Sequence, residues 1–470
     1  MWAFLVLSAC FALSLWLRWP ELTEPVLGQA GHQLLLAHSA VIAQNWAHEG
    51  FFTLHGLAFW TSASAELPTW AARMPYTSFP GGAFALPALA TALFKPASAI
   101  GIVRTYGVAN QFFCALTVAS ISGTLLKRRG LWPLLPGIAL LFTPGWSWHF
   151  PNSWFSETAT ILPFLLLARC DIAGRRGWTT TALTAAMAYC DLSFAAEVTA
   201  WRILLGYARP WAIIPVITVG AAHLAAMATL LGATSVTGLF LHAVDHTGTT
   251  GGQPEASVFD FIRRIKGYMD AAFGVILWVF AGALALILRR SSHRHRPLLR
   301  ALALLILPGV GHLLLFRHHA WAHNFNTLRL DAGLMVLLFV ALPVVMGWGR
   351  RFTALASVAL VIMALHWQGL YKSLFTPGPP GPAAIRMTLA AQEIGRTFGP
   401  DTVLFSDDLP IPLGPDGLIL SVYSRKTTYP LKYWRTAKKA ALIFADGHAP
   451  PECVERTRLT EGFAYCYSRY

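Results

Sequence analysis

The chain has 470 residues, 55% of them hydrophobic and 12% charged, with a mean hydropathy of +0.51; a soluble domain carries about 25% charged residues, so that class is excluded. Its formal charge of +14 would suit nucleic acid only if the basic residues formed one patch. Instead Lys127-Arg128-Arg129, Arg175-Arg176, Arg289-Arg290 with Arg294 and Arg296, and Arg350-Arg351 lie at the edges of apolar runs. The positive-inside rule accounts for that distribution, and no nucleic acid is expected as a partner.

Met1 to Leu17 is the first apolar run. No Lys or Arg precedes it and no small-residue cleavage site leads into a soluble protein, so it reads as an uncleaved helix running outward from a cytoplasmic N-terminus. Residues 18 to 80 follow as a long non-spanning segment on the outer face. Within it, Gly31 to Phe51 has helical apolar spacing but no span-length run, which predicts a helix along the membrane surface. Its register sets His38 near Leu34, Leu35, Val41 and Ile42, as a lid-facing polar group or as a histidine satisfied by backbone.

Residues 81 to 126 must supply an odd number of crossings for Lys127 to face the cytoplasm: one with a re-entrant piece, or three short ones. The later runs thread alternately over 131 to 146, 157 to 172, 178 to 190, 193 to 207, 210 to 233, 268 to 288, 299 to 316, 330 to 348 and 353 to 371. Each reaches or approaches the ~20 residues that cross about 30 Å of hydrocarbon. The fold class is therefore an all-α polytopic membrane protein of eleven or thirteen transmembrane helices over residues 1 to 371. Its outer face carries residues 18 to 80, the loop Ser147 to Glu157, residues 234 to 267, the loop Arg317 to Arg329 and everything from Lys372 onward.

Residues 372 to 382 contain the stiff run Pro377-Gly378-Pro379-Pro380-Gly381-Pro382, and 383 to 470 read as a small periplasmic α/β domain. A helix is expected near 384 to 398, with β-like runs at Thr402 to Ser406, Leu418 to Tyr423, Ala440 to Ala445 and Gly462 to Tyr467. Cys453 and Cys466 lie together in this tail. They are expected to form a disulfide if the compartment is oxidising; two free buried thiols in a small β-meander are the alternative.

Several outer motifs share an order with those of a known superfamily. His38-Ser39-Ala40-Val41-Ile42-Ala43-Gln44-Asn45-Trp46 lies in the first loop, and Tyr76-Thr77-Ser78-Phe79-Pro80-Gly81-Gly82 lies where that loop re-enters the membrane. Asn152-Ser153-Trp154-Phe155-Ser156-Glu157-Thr158 precedes a span, and Arg317-His318-His319-Ala320-Trp321-Ala322-His323-Asn324-Phe325 forms a late loop. In this order the chain resembles a divergent bacterial member of the GT-C glycosyltransferases, similar to lipid A aminoarabinose transferases and protein O-mannosyltransferases. It departs from them in carrying His38 and Asn324 where the resemblance implies Asp.

The resemblance implies an enzyme of the inner membrane that builds cell-envelope glycan. It would transfer a sugar from a polyprenyl-phosphate donor to a glycan, lipid or protein acceptor on the periplasmic face, by inverting attack of an acceptor hydroxyl, with membrane lipids around it. Such a transfer needs a base for the acceptor proton and cations for the leaving phosphate. Glu157, at a span's outer edge, and His38 are the candidate bases, with Glu21 and Glu24 just beyond the first span as substitutes for a missing acid. The ordinary alternatives are a helix N-terminal carboxylate for Glu157 and solvated interfacial charge for Glu21 and Glu24.

Arg263 and Arg264 precede an inward span on the outer side, and Arg317 and Arg329 flank the histidine-rich loop. Cations placed against the positive-inside tendency suit a donor phosphate, or ordinary anionic headgroups. Tyr76, Trp154, His323 and Asn324 are candidate substrate contacts. His319 and His323 share i, i+4 spacing, which suits a divalent metal only if that loop is helical; the resemblance implies a metal-independent site, and no cofactor is expected. Two other readings stay open: a non-catalytic GT-C-like protein that binds or translocates lipid-linked glycan, and a polysaccharide polymerase or ligase.

Overall fold

The computed structural model describes residues 2–19, 22, 33–60, 75–76, 78–94, 99–127, 130–246, 257–274, 276–322, 324–348, 350–375, 382–398, 402–406, 428–430, 440–445, 453, 457–459 and 463–467. In chain order its helices are α1 (Trp2–Trp16), α2 (Gln33–Glu49), α3 (Gly82–Leu93), α4 (Ala99–Leu126), α5 (Leu135–Phe142), α6 (Pro144–Asn152), α7 (Ser156–Ala159), α8 (Ile161–Ile172), α9 (Trp178–Cys190) and α10 (Leu192–Leu204). Then come α11 (Ile214–Leu231), α12 (Ala233–His246), α13 (Val258–Phe273), α14 (Ile276–Arg290), α15 (Arg296–Leu315), α16 (Arg317–Ala322), α17 (Leu328–Val336), α18 (Leu342–Val345), α19 (Arg350–Phe375) and α20 (Pro382–Thr397).

Among the described residues five stretches are long and apolar enough to cross a membrane: Ala99–Leu126, Pro210–Leu231, His293–Leu315, Phe325–Val345 and Ala354–Lys372. Up to six qualify if α13 and α14 make one span. The protein is integral to a membrane. Fewer helices pass on length alone than the eleven or thirteen expected, because several expected spans are divided. Residues 81 to 126 resolve as the 12-residue α3 and the 28-residue α4.

The divisions follow from residues that cannot continue a helix. Thr143 is extended at φ −62° and ψ 135°, and Pro144 opens α6. Proline has no N–H to extend α5, but fits the first turn of a new helix. The expected loop Ser147 to Glu157 is therefore mostly helix, and all of it is buried. The expected span 268 to 288 is interrupted at Gly274, where φ is +61° and a Cβ would stand 2.7 Å from His366 Nε2. Residues 234 to 267, expected as loop, contain α12 and the start of α13, whose cap is Ser257 accepting the Asp260 N–H at 3.1 Å. The late loop is likewise two short helical turns, α16 and Asn324–Thr327.

Two apolar cores result. The larger joins α1, α4, α5, α8, α10, α13, α15 and α17, with Trp146, Phe164, Phe194 and Trp367 buried within it. The smaller joins α2, α3, the start of α4 and a short antiparallel pair, β1 (Ala58–Phe59) with β2 (Pro75–Tyr76). Helix α2 does not simply rest on a surface: Leu36, Ala37, Ala40, Val41, Ile42 and Ala43 are all buried against this second core. Away from both sits a bidentate ion pair, Arg202 Nε to Asp171 Oδ2 at 2.6 Å and Nη2 to Oδ1 at 3.1 Å.

In the tail, α20 lays Ala391, Ile394 and Phe398 against a mixed five-stranded sheet. Its strands are β3 (Val403–Ser406), β4 (Thr428–Pro430), β5 (Ala440–Ala445), β6 (Thr457–Arg458) and β7 (Phe463–Tyr467), in the order β4-β3-β5-β7-β6. Strand β3 runs parallel to β4 and β5, and β7 antiparallel to β5 and β6. Cys453 and Cys466 are disulfide-bonded, with Cα atoms 5.7 Å apart. The run Leu418 to Tyr423 lies outside the described residues.

The tightest helix crossing is α4 on α6, where a Cβ at Gly107 would stand 2.0 Å from the Phe150 carbonyl oxygen. Gly107→Ala must part the two backbones, and is expected to cost ~1–3 kcal/mol. Gly238 in α12 has no atom within 4 Å of its Cβ position, so Gly238→Ala is expected to be neutral or stabilising. Thermal unfolding midpoints of the two variants in detergent check this.

Candidate active site

Glu157 stands in the single turn α7, which starts where Phe155 leaves helical geometry at φ −158° and ψ −171°. The Phe155 N–H donates to Thr158 Oγ1 at 2.9 Å, and the Thr158 hydroxyl donates to the Ser153 carbonyl at 3.1 Å, fixing the turn. At 2% exposure the Glu157 carboxylate is buried, and both oxygens are engaged. Oε2 accepts from Ser156 Oγ at 2.9 Å, and Oε1 is 3.1 Å from His319 Nε2. Tyr76, from the first outer segment, lies near Ser156 and within electrostatic reach of Glu157 and Asp191. Burial pushes the Tyr76 phenol well above its ordinary value, and the charges of Glu157 and Asp191 push it further. It therefore stays a neutral donor.

Arg329, on α17, lies 1% exposed with its guanidinium carbon 4.1 Å from the centre of the Phe194 ring. Nη2 donates to Asp191 Oδ2, and both partners are fully buried. Nε and Nη1 have no hydrogen-bond acceptor among the described residues. Asp191 is held by the start of α10, accepting the Phe194 N–H at 3.0 Å and Ser193 Oγ at 2.7 Å. Beneath them His312 Nδ1 lies 3.0 Å from Glu197 Oε1, and the His312 ring meets Phe194 edge-on with centroids 5.8 Å apart. One guanidinium thus acts on three carboxylates, those of Glu157, Asp191 and Glu197.

The structure brings together Tyr76, Glu157 and Arg329 of the expected site with His319, which the sequence offered only as a possible metal ligand. Arg329 is not the interfacial cation expected at the edge of a loop, because α16 and the following turn carry the chain back into the bundle and bury it. His38 is half-buried on α2, its ring 5.1 Å from Trp60, which in turn is 5.3 Å from Tyr76. The Trp60 ring therefore intervenes between His38 and Tyr76.

Trp154 is a core residue at 2% exposure, its indole donating to the Ala83 carbonyl at 2.9 Å and its ring edge-on to Tyr106. Arg317 is exposed on α16, and Arg263 and Arg264 are exposed on α13, Arg263 3.7 Å from Asp260 and Arg264 bonded to Tyr268 at 2.8 Å. None of the three is placed beside Glu157. Glu21, Glu24 and His323 lie outside the described residues, and of Asn324 only the backbone is described. Arg317–Ala322 is helical; among the described residues no three His, Cys, Asp or Glu side chains group as metal ligands.

Asp191, Phe194, Glu197, Ser156 and His312 were not legible as site residues. One local signal existed for Asp191: Asp-x-Ser between two short apolar runs is an N-cap signature. Glu197 and His312 each interrupt an otherwise apolar run, a pattern that marks function in a membrane.

No protein-family model matches the sequence, and no curated protein matches it. Solved structures do match. ArnT from Cupriavidus metallidurans bound to undecaprenyl phosphate gives a TM-score of 0.53 at 12% identity, covering 98% of this chain and 97% of that one. The archaeal oligosaccharyltransferase AglB from Archaeoglobus fulgidus, in complex with an inhibitory peptide and a dolichol-phosphate, gives 0.52 at 11% identity over 95% of this chain and 69% of that one. The chain shares the fold of these structures. Its relation to the archaeal enzymes is partial in length: it covers 64% of the apo oligosaccharyltransferase, at a TM-score of 0.50 and 10% identity. In this bundle α7, α10, α15, α16 and α17 supply the pairs Glu157–His319, Asp191–Arg329 and Glu197–His312.

The Arg329–Asp191 pair is the strongest internal constraint on that cluster. Arg329→Met leaves the Asp191 carboxylate buried without its partner, an expected loss of ~3–5 kcal/mol. Arg329→Met with Asp191→Asn is expected to recover most of it. A double-mutant cycle on unfolding midpoints in detergent measures the coupling.

Proposed function

We propose that the protein is a glycosyltransferase that moves a sugar from a polyprenyl-phosphate carrier to a hydroxyl of a glycan, lipid or protein acceptor. The observation that carries the reading is a buried carboxylate–imidazole pair, Glu157 and His319, near a guanidinium whose Nε and Nη1 have no acceptor among the described residues, all within a GT-C-like fold. The fold's solved relatives were captured with undecaprenyl phosphate and with a dolichol-phosphate, which supports a lipid phosphate as the ligand class.

In this mechanism the acceptor hydroxyl oxygen attacks the anomeric carbon as its proton passes to the Glu157–His319 pair. The bond from the anomeric carbon to the phosphate oxygen breaks, and the lipid phosphate leaves with the electron pair, held by Nε and Nη1 of Arg329. A single in-line displacement inverts the anomeric centre. Glu157 keeps His319 in one orientation, Tyr76 and Ser156 keep Glu157 in one rotamer, and Asp191 keeps the guanidinium edge turned toward the phosphate. A preformed site needs no reorganisation as charge moves from acceptor to phosphate. The distribution of Lys and Arg supports the bacterial inner membrane as the location, with a cytoplasmic N-terminus, the site on the periplasmic side, and residues 383 to 470 as a periplasmic domain after the 372 to 382 linker.

Reconstitution with a radiolabelled polyprenyl-phosphate sugar tests the assignment. Glu157→Gln and Arg329→Lys are expected to lower kcat/KM by about 10²-fold or more, while Arg263→Gln on the exposed face of α13 is expected to stay within about twofold. Undiminished turnover in Glu157→Gln contradicts the reading.

A further inference from the structure

Across the break at Gly274, α13 and α14 are bent by 102°. Arg289 and Arg290 close the far end of α14, which by the positive-inside tendency is its cytoplasmic end. A helix that crosses the bilayer as α14 does, and then turns near a right angle, lays its neighbour along the opposite surface. Asp260, Arg263, Arg264, Lys266 and Asp270, spread over its 16 residues, keep α13 out of the hydrocarbon itself.

The side chains of α13 sort by helical period. Phe261, Met269 and Ala272 are buried against the bundle, and Ile265 packs with them. Phe259, Ile262, Arg263 and Lys266, at i, i+3, i+4 and i+7, form one outward stripe. It is open: Phe259 is 81% exposed, Ile262 57% and the Arg263 side chain 83%. Trp278, exposed at the start of α14, extends the stripe, with its ring centre 5.7 Å from Lys266 Nζ. Arg264 lies on the other flank, bonded to Tyr268.

Three large apolar groups beside two cations suit neither water nor hydrocarbon. They suit the layer between, where apolar side chains enter the acyl boundary, tryptophan sits at headgroup depth, and Arg and Lys reach the phosphates. Both cations are available for this. Arg263 is 3.7 Å from Asp260 and Lys266 2.5 Å from Asp270, but both pairs are solvent-exposed, and exposed pairs are weak. With Arg264 counted, three cations meet two carboxylates, so the surface favours a headgroup of net negative charge. The occupant is a bilayer lipid and not the sugar carrier, because the stripe is on the face of α13 turned away from the bundle that encloses Arg329.

We infer that α13 is an interfacial helix whose Arg263 and Lys266 bind the headgroup phosphate of an anionic phospholipid, with Phe259, Ile262 and Trp278 against its acyl chains. This site is separate from the transfer site and does not depend on the reading of Arg329.

Native mass spectrometry of the full chain in a non-ionic detergent, titrated with phosphatidylglycerol and separately with phosphatidylcholine of the same chain length, tests it. Wild type is expected to prefer phosphatidylglycerol. Arg263→Gln with Lys266→Gln is expected to weaken phosphatidylglycerol binding by about tenfold or more and to leave phosphatidylcholine binding within about twofold. Arg263→Lys with Lys266→Arg, which keeps both charges, is expected to bind as wild type does, and equal unfolding midpoints exclude a folding defect. Equal phosphatidylglycerol affinity in wild type and the charge-removed variant overturns the inference, as does a wild type that binds the two lipids alike. A third titration, with polyprenyl phosphate, is expected to be unchanged in the charge-removed variant; its loss there places the carrier on α13 and overturns both this inference and the assignment of the carrier phosphate to Arg329.

Discussion

A guanidinium enclosed by apolar helices is tolerable only where its charge is answered at hydrogen-bond distance, and among the described residues Arg329 is answered on one edge alone. That constraint organises the bundle around it. Asp191 must sit at the turn between α9 and α10, so that its carboxylate caps α10 and meets the guanidinium at once. Phe194, one helical turn on, must present its face to the cation. The segment from Arg317 to Thr327 must fold inward as short turns, which is what delivers His319 to Glu157 and Arg329 to Asp191. The unanswered edge, Nε and Nη1, is the part of the arrangement that a soluble structural ion pair would not leave open.

The contrast with Arg202 and Asp171 makes the point within the same molecule. That pair is also buried, but both carboxylate oxygens are used by the guanidinium and the remaining nitrogen reaches Thr184 at 3.2 Å. Its job is to hold α8, α9 and α10 together. Arg329, by comparison, bonds one carboxylate, that of Asp191, and its Nε and Nη1 have no acceptor among the described residues. Buried polar networks that are only partly satisfied are costly, and in the proposed function the lipid phosphate completes this one.

Much of the architecture was legible because membrane proteins write topology into composition. The apolar runs, the Lys and Arg clusters at their edges, the Pro-Gly linker and the order of outer motifs all bear on class and layout. Helix breaks were less legible: Pro144 and Gly274 were visible, yet nothing local says that a run of adequate hydropathy will be cut there. The site was legible only in part, for a geometric reason. Glu157 and His319 are 162 positions apart, and Asp191 and Arg329 are 138 apart. Periodicity and charge at a span edge nominate single residues such as Glu157 and Arg329, whereas convergence belongs to the packing of five helices. The same reason explains Trp154, whose aromatic character suits a sugar as well as a core, and which packing assigns to the core.

The central claim is that the lipid phosphate is held by Arg329 inside the bundle and not by the exposed arginines of α13. A cryo-EM map of the full chain in nanodiscs saturated with a polyprenyl phosphate tests it directly. The account predicts phosphate density within hydrogen-bond distance, about 2.7–3.2 Å, of Arg329 Nε or Nη1, with the isoprenoid tail leading out to the bilayer. Phosphate density at Arg263 and Arg264, with none against Arg329, contradicts it.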